Sequence, residues 1–386
     1  MARVPQRNRP TSLTGTRPVR RFIGAADIAA LGRGCAVLGT GGGGNVETGS
    51  LSARRALTDL GDAALVNLAD LAPDDLILPL HLIGAPTVSQ EMIPSGREPL
   101  QVLQEVERVL GLSVAAIMAG EIGGANGVRA PGWASTLGLP LLDADGIGRA
   151  FPEIDMVSME VAGRSPNIVV IADVLGNLTT IRPTDGRWAE RLARAACVAS
   201  GSSATMSSYA MTAAEARDAV IEGSVSFALG IGELLGDRAR GLPELCKHLG
   251  AYELVSGKIV ELERNDSGGF VKGSVVIRGI GDDKGRLVRL EIQNENLIVL
   301  EEGQPLATVP DLIVALDTET SRAYGTEMLQ YGQRITIIGW PCNPIWRTEA
   351  GIAKTGPRAF GYEIDYVAIE DLALDRGFAS STAELD

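Results

Sequence analysis

Histidine is nearly absent: His81 and His248 are the only two in 386 residues. A metal site built from three or more histidines of one chain is thereby excluded. Cysteine is also scarce, and Cys35, Cys197, Cys246 and Cys342 stand far apart without paired spacing. That pattern excludes a zinc finger or a disulfide framework and reads as a reduced, cytoplasmic protein. Cys35 and Cys197 fall on apolar helical patterns and read as core thiols. Aromatic residues make up 4%, which leaves few stacking platforms, and the net charge is −13. Both argue against nucleic acid as a partner. No run of 18 apolar residues occurs, so no membrane span is expected.

Glycine, by contrast, is abundant at 47 residues, and it is densest in Leu38–Gly49. Gly39 and Gly41 to Gly44 leave almost no side chain to pack, and ordering them is entropically costly. Phosphate-binding glycines follow a strand and open a helix. Here the preceding residues carry Ile28, Leu31, Cys35 and Leu38 at helical spacing, and Leu51–Leu60 reads as a second helix. The run is therefore a helix–loop–helix corner. No Walker lysine closes it, and no nucleotide cofactor is expected. It reads either as a stretched glycine C-cap or as a nest of amides, from Gly41 through Gly42, Gly43 and Gly44 to Asn45, for an anion or polarised carbonyl.

The chain divides by texture. Residues 1–22 hold six arginines, three prolines and no acid. They read as a disordered basic arm, without the apolar core of a secretory signal. From 23 to 250 strands and helices alternate, the mark of a layered α/β domain. A short strand is expected near 64–68, a longer apolar one at 75–84, a buried one at 113–120, and a helix over 98–110. A hairpin at 167–172 and 178–181 turns across Gly176-Asn177. Helices follow at about 187–199, 212–221, 223–235 and 242–249. From 251 to 345 period-two alternation and Gly/Asp-rich turns mark an antiparallel all-β domain. The segment 346–386 reads as returning to the α/β domain, with one more strand at 360–367. The basic arm against an acidic body points to a homo-oligomer.

Three loops follow apolar strands and carry carboxylates: Gly84–Gly96 with Glu91, Gly120–Gly127 with Glu121, and Asp143–Glu153. Loops beyond the carboxyl ends of strands in an open α/β sheet meet at one crevice. Glu91, Glu121, Asp143, Asp145 and Glu153 are candidates for general acid–base work or for ligating a hard or borderline divalent metal such as zinc. His81, on a strand just before Gly84, is a further candidate metal ligand beside Glu121, Asp143 and Asp145, or else a core histidine. Asn126 and Arg149 suit orientation of a carbonyl or carboxylate. Each carboxylate alone reads rather as a helix cap or a solvated turn, and it is their clustering on three successive strand ends that favours a site. Asp173 and Asn177 read as turn residues. Gly201–Thr205 reads as a cap between helices, and a serine nucleophile there has no evident histidine partner.

Together, four segments resemble the S-methyl thiohydantoin desulfurase family. They are Leu38–Asn45; Gly84-Ala85-Pro86-Thr87-Val88 with Glu91 and Pro94-Ser95-Gly96; Glu121–Gly124 with Asn126; and Asp143–Gly146 with Gly148–Glu153. The resemblance runs from about residue 25 to about 370. It implies an α/β domain joined to a swivelling-type all-β domain. It implies hydrolytic loss of a thiol from C2 of an S-methyl thiohydantoin ring. The chain departs from the family after the glycine run, where Asn45-Val46 stands in place of a common Asp-Pro. The resulting expectation is a hydrolase acting on a small cyclic amide-type substrate held between two domains. Glu91, Glu121, Asp143 and Asp145 would do the chemistry. Gly41 to Gly44, Asn45, Thr87, Asn126 and Arg149 would bind the ring. A ring-forming cyclase and a non-catalytic binding subunit are the rival readings.

Overall fold

A computed structural model describes residues 21–376 apart from 85–87, 89–90, 93, 237–240 and 268–269. Thr87, most of the basic arm and the last ten residues therefore lie outside the described residues. The first unit is built on a mixed sheet ordered β1-β2-β5-β4-β3-β8-β6-β7. Its strands are β1 (Arg21–Ile23), β2 (Ala63–Val66), β3 (Leu76–Gly84), β4 (Val114–Ala119), β5 (Leu141–Asp145), β6 (Val169–Ala172), β7 (Leu178–Ile181) and β8 (Ser203–Ser207). The central strands β2, β5, β4 and β3 run parallel, and their neighbours are antiparallel. The apolar faces of β3 and β4 are almost wholly buried, as strands covered on both sides require.

Helices α1 (Ile28–Leu38), α2 (Val46–Leu60), α3 (Glu98–Leu110), α4 (Gly124–Leu137), α5 (Gly186–Ala199), α6 (Ser224–Gly236) and α7 (Gly241–Leu249) complete this unit. α3 shows how local sequence sets an element. Pro99 opens it, Val102, Leu103 and Val106 bury one face, and Gly111 stops it at φ +70°. The second unit is a seven-stranded antiparallel sheet, ordered β15-β14-β13-β12-β11-β17-β16 and spanning Tyr252 to Trp340. It comprises β11 (Tyr252–Ser267), β12 (Phe270–Gly279), β13 (Leu287–Gln293), β14 (Glu295–Glu301), β15 (Gln304–Thr308), β16 (Leu312–Asp317) and β17 (Arg334–Trp340), while the two-residue strands β9 (Met211–Thr212) and β10 (Ile221–Glu222) join the first sheet at β3 and β5. The architecture is an α/β domain plus an all-β domain, as the alternation pattern and its change of texture imply.

Four local expectations are corrected. The Gly120–Gly127 loop ends early because α4 starts at Gly124. Residues Gly124 to Ala134 are all buried, so no polar face gives the helix a readable period. Gly201–Thr205 does not cap a helix, because Ser203–Ser207 forms β8 against β3. The helix over 212–221 shrinks to Ala213–Ala216, held by a Thr212–Glu215 capping box, and Ile221–Glu222 pairs with β5. No strand forms at 360–367. Gly361 takes φ +87° after the turn Pro357–Phe360, and the helix Ile369–Arg376 packs on β15 and β17.

Candidate functional site

The end of β3 and the loops after β4 and β5 meet at one end of the parallel strands, and the glycine corner between α1 and α2 lies beside them. They enclose a cavity of about 120 Å³. Its wall includes Gly42 to Asn45, His81, Glu121, Asn126 and Arg129 from the α/β domain, and Asn294, Glu295, Thr326 and Glu327 from the β domain. The crevice expected at the strand ends is thus an interdomain cavity.

Glu121 follows β4 and is buried. Asn126, on the first turn of α4, donates from Nδ2 to its Oε1 at 2.5 Å, and Asn126 Oδ1 accepts from Leu82 N at 2.7 Å. Burial dominates, pushing the Glu121 carboxyl up to about 8. Glu295 begins β14 and is buried as well, with Oε2 lacking any hydrogen-bond partner. Burial, then the neighbouring Glu121 charge, raises its carboxyl well above the ordinary range, while Arg149 opposes this. His81 offers Nε2 to Ser208 Oγ at 3.2 Å, and burial lowers the imidazole to about 4. The ring is therefore neutral at neutral pH.

The glycine corner has a definite physical reason. A Cβ on Gly42 would stand 2.1 Å from Glu295 Oε1, so only glycine lets this acid reach the cavity. Gly43, at φ +76°, has its backbone against Gly123 and Gly124, where a Cβ would meet Gly123 O at 2.4 Å. Asn45 caps α2, its side chain accepting from the amides of Glu47 and Thr48. Gly41 faces away from the cavity: its carbonyl accepts from Thr326 N, and its neighbours are Thr326 and Asn296.

The other candidates are placed elsewhere. Asp145 Oδ2 accepts three amides, from Ile122, Ile147 and Gly148, and so fixes the β4 and β5 loops. Asp143 accepts from the amide and hydroxyl of Ser226 at the start of α6. Arg149 is buried between the domains and donates to Thr40 Oγ1 and to the carbonyls of Pro310 and Asp311. Glu91 is exposed. Glu153 does line the cavity, with its carboxyl raised mainly by burial. Among the described residues no three His, Cys, Asp or Glu side chains stand together as a metal cage. The proposed ligands do not fit one either: both oxygens of Asp143 are turned to Ser226 and Oδ2 of Asp145 to backbone amides, which leaves Asp145 Oδ1 as a single unpartnered oxygen.

Sequence reading missed Glu295, Glu327 and Arg129. Arg129 sits inside the unread helix α4. Glu295 lies in Gln293-Asn294-Glu295-Asn296, a polar run that looks like any exposed hairpin turn. Asn294 does turn there, at φ +57°, but Gln293, Glu295 and Asn296 are buried.

Comparison with known proteins agrees with this architecture. The S-Me-THD-like N-terminal domain matches residues 26–183, and the S-Me-THD-like C-terminal domain matches residues 184–369. No curated protein matches the chain. An X-ray structure of a protein from Chromobacterium violaceum is similar in fold, with a TM-score of 0.75 and 22% identity over 90% of this chain and 100% of that one. The chain belongs to the S-Me-THD-like, or S-methyl thiohydantoin desulfurase-like, family.

Proposed function

We propose that the protein hydrolyses a small cyclic amide-type ring of the S-methyl thiohydantoin class, releasing methanethiol and leaving a hydantoin. The observation that carries this reading is the facing pair of buried carboxyls, Glu121 and Glu295, one from each domain, in one cavity. Like carboxyls in a dry site do not both ionise readily, so the pair titrates as a unit and retains a proton near neutrality. The singly protonated pair holds an acid and a base together.

Glu295, raised further by the charge of Glu121, holds the proton of the pair and is the acid. Glu121, held by Asn126 through a hydrogen bond that favours its ionised form, is the base. Water adds through oxygen to ring C2 as Glu121 takes one of its protons. The pair of the C2=N3 bond moves onto N3. On collapse the C2–S bond breaks and the thiol leaves with the proton of Glu295. The remaining hydroxyl proton passes to N3 as C2=O forms. Glu121 then returns its proton to Glu295, so that ring plus water gives hydantoin plus methanethiol. Neutral His81 and the Gly43–Gly44 backbone line the rest of the cavity and are suited to orient the ring and water.

The test is methanethiol release from 5-substituted S-methyl thiohydantoins, followed by mass spectrometry. Wild type is expected to turn over at least one of them. Glu121→Gln is expected to lose on the order of 100-fold or more in kcat, as removal of a general base does. Turnover unaffected in Glu121→Gln contradicts the assignment.

A further inference from the structure

Arg129 is the residue of the cavity wall that the fold itself does not account for. It lies on α4, one turn beyond Asn126, and is 6% exposed. Its Nε is sealed from solvent with no hydrogen-bond partner. Among the described residues no carbonyl or carboxylate pairs with its terminal nitrogens either, in contrast to Arg149 and Arg194, which are tied to named oxygens. Glu98 is its nearest electrostatic counterweight, but that carboxylate is engaged by the amide of Ser95 and makes no ion pair with it. Burying a guanidinium without partners costs several kcal/mol, and a fold has no reason to keep one there for stability. Charge so placed is what electrostatic catalysis requires: a donor already oriented in a dry site toward charge that appears only during reaction.

Resting on the hydrolase reading above, we propose that Arg129 meets the C4 oxygen of the bound ring and stabilises the negative charge that gathers there as water adds to C2. The chemistry supplies that charge. When the C2=N3 pair moves onto N3, N3 is conjugated with the C4 carbonyl, so the C4 oxygen takes a share of the charge until the thiol leaves. The role differs from those of Glu121 and Glu295, because Arg129 transfers no proton: its guanidinium stays charged throughout.

Three variants test this in the methanethiol assay. Arg129→Gln is expected to lower kcat by about 100-fold with KM changed less than about threefold, the signature of an interaction made in the transition state. Arg129→Lys, which keeps the charge without the fork, is expected to recover part of that loss. Arg129→Met is expected to melt no lower than wild type, because it removes an unpartnered buried charge. A rise in KM with kcat unchanged would put Arg129 on a part of the substrate that does not react, and would overturn the proposal. So would an Arg129→Met protein that melts well below wild type with kcat unchanged in Arg129→Lys, which is what a structural role gives. Wild-type turnover that Arg129→Gln leaves intact overturns this proposal alone. Absence of wild-type turnover on every thiohydantoin overturns the hydrolase reading, and this proposal with it.

Discussion

At the scale of single residues, burial governs the acids of the site. Glu121 has an ordinary carboxylate value of 4.5 and is raised to about 8 in the folded chain. Folding therefore favours its protonated form. The stability this contributes is complete below about pH 4.5 and is lost as pH rises through about 8, because the unfolded state gives up its proton first. Glu121→Gln cannot titrate, so its melting temperature relative to wild type is expected to climb from pH 5 to pH 9. A difference that stays constant with pH would refute the protonation assignment. As the base, the same carboxyl predicts an acid limb: kcat should rise with pH up to about pH 8, and Glu121→Asp should move that limb. His81 acts in the opposite sense. Burial lowers it from 6.5 to about 4, so the stability it contributes by staying neutral is lost as pH falls through that window. Glu121 and Asn126 were legible in the sequence because they follow an apolar strand in a glycine-rich loop. Asp143 and Asp145 carry the same signal, yet both oxygens of Asp143 are taken by Ser226 and Oδ2 of Asp145 by backbone amides. Sequence spacing marks a carboxylate at a strand end but not which way it turns.

At the scale of elements, the glycine corner decides whether the cavity exists. Gly43→Ala adds a Cβ at φ +76° and 2.4 Å from Gly123 O, where neither backbone can give way. It is expected to destabilise by more than about 2 kcal/mol, read as a fall in chemical-denaturation midpoint. Gly44→Ala, at φ +84° but 3.4 Å from the nearest atom, should cost only about 1 kcal/mol. Equal effects would mean that close backbone approach is not what the corner serves. The corner was visible as a helix–loop–helix turn because α1 has clear apolar spacing. Helix α4 was invisible because it is buried on every side and carries Pro131 within it. Its loss from the reading took Arg129 with it.

At the scale of the molecule, the site depends on how two domains are held. Arg149 ties Thr40 to the Pro310 and Asp311 carbonyls, and backbone bonds from Asn296 N to Thr40 O and from Thr326 N to Gly41 O close the same seam. Arg149→Ala leaves those acceptors unpaired in a buried seam. It is expected to lower stability by about 3 kcal/mol and to depress turnover while Glu121 and Asn126 remain in place. The division into an α/β and an all-β unit was readable from the change in periodicity near residue 251. That the cavity draws Glu295 from the second unit was not, since the pairing joins residues 174 positions apart and nothing in a hairpin turn announces what it faces. The central claim is that the two carboxyls, one from each domain, work as one acid–base pair. Its most direct test is the pH dependence of methanethiol release by wild type, Glu121→Gln, Glu295→Gln and the double variant. If the pair is a unit, each single substitution removes nearly all turnover and the double variant is little worse than either. Losses that simply multiply in the double variant, or a Glu295→Gln protein with wild-type rates, would contradict it.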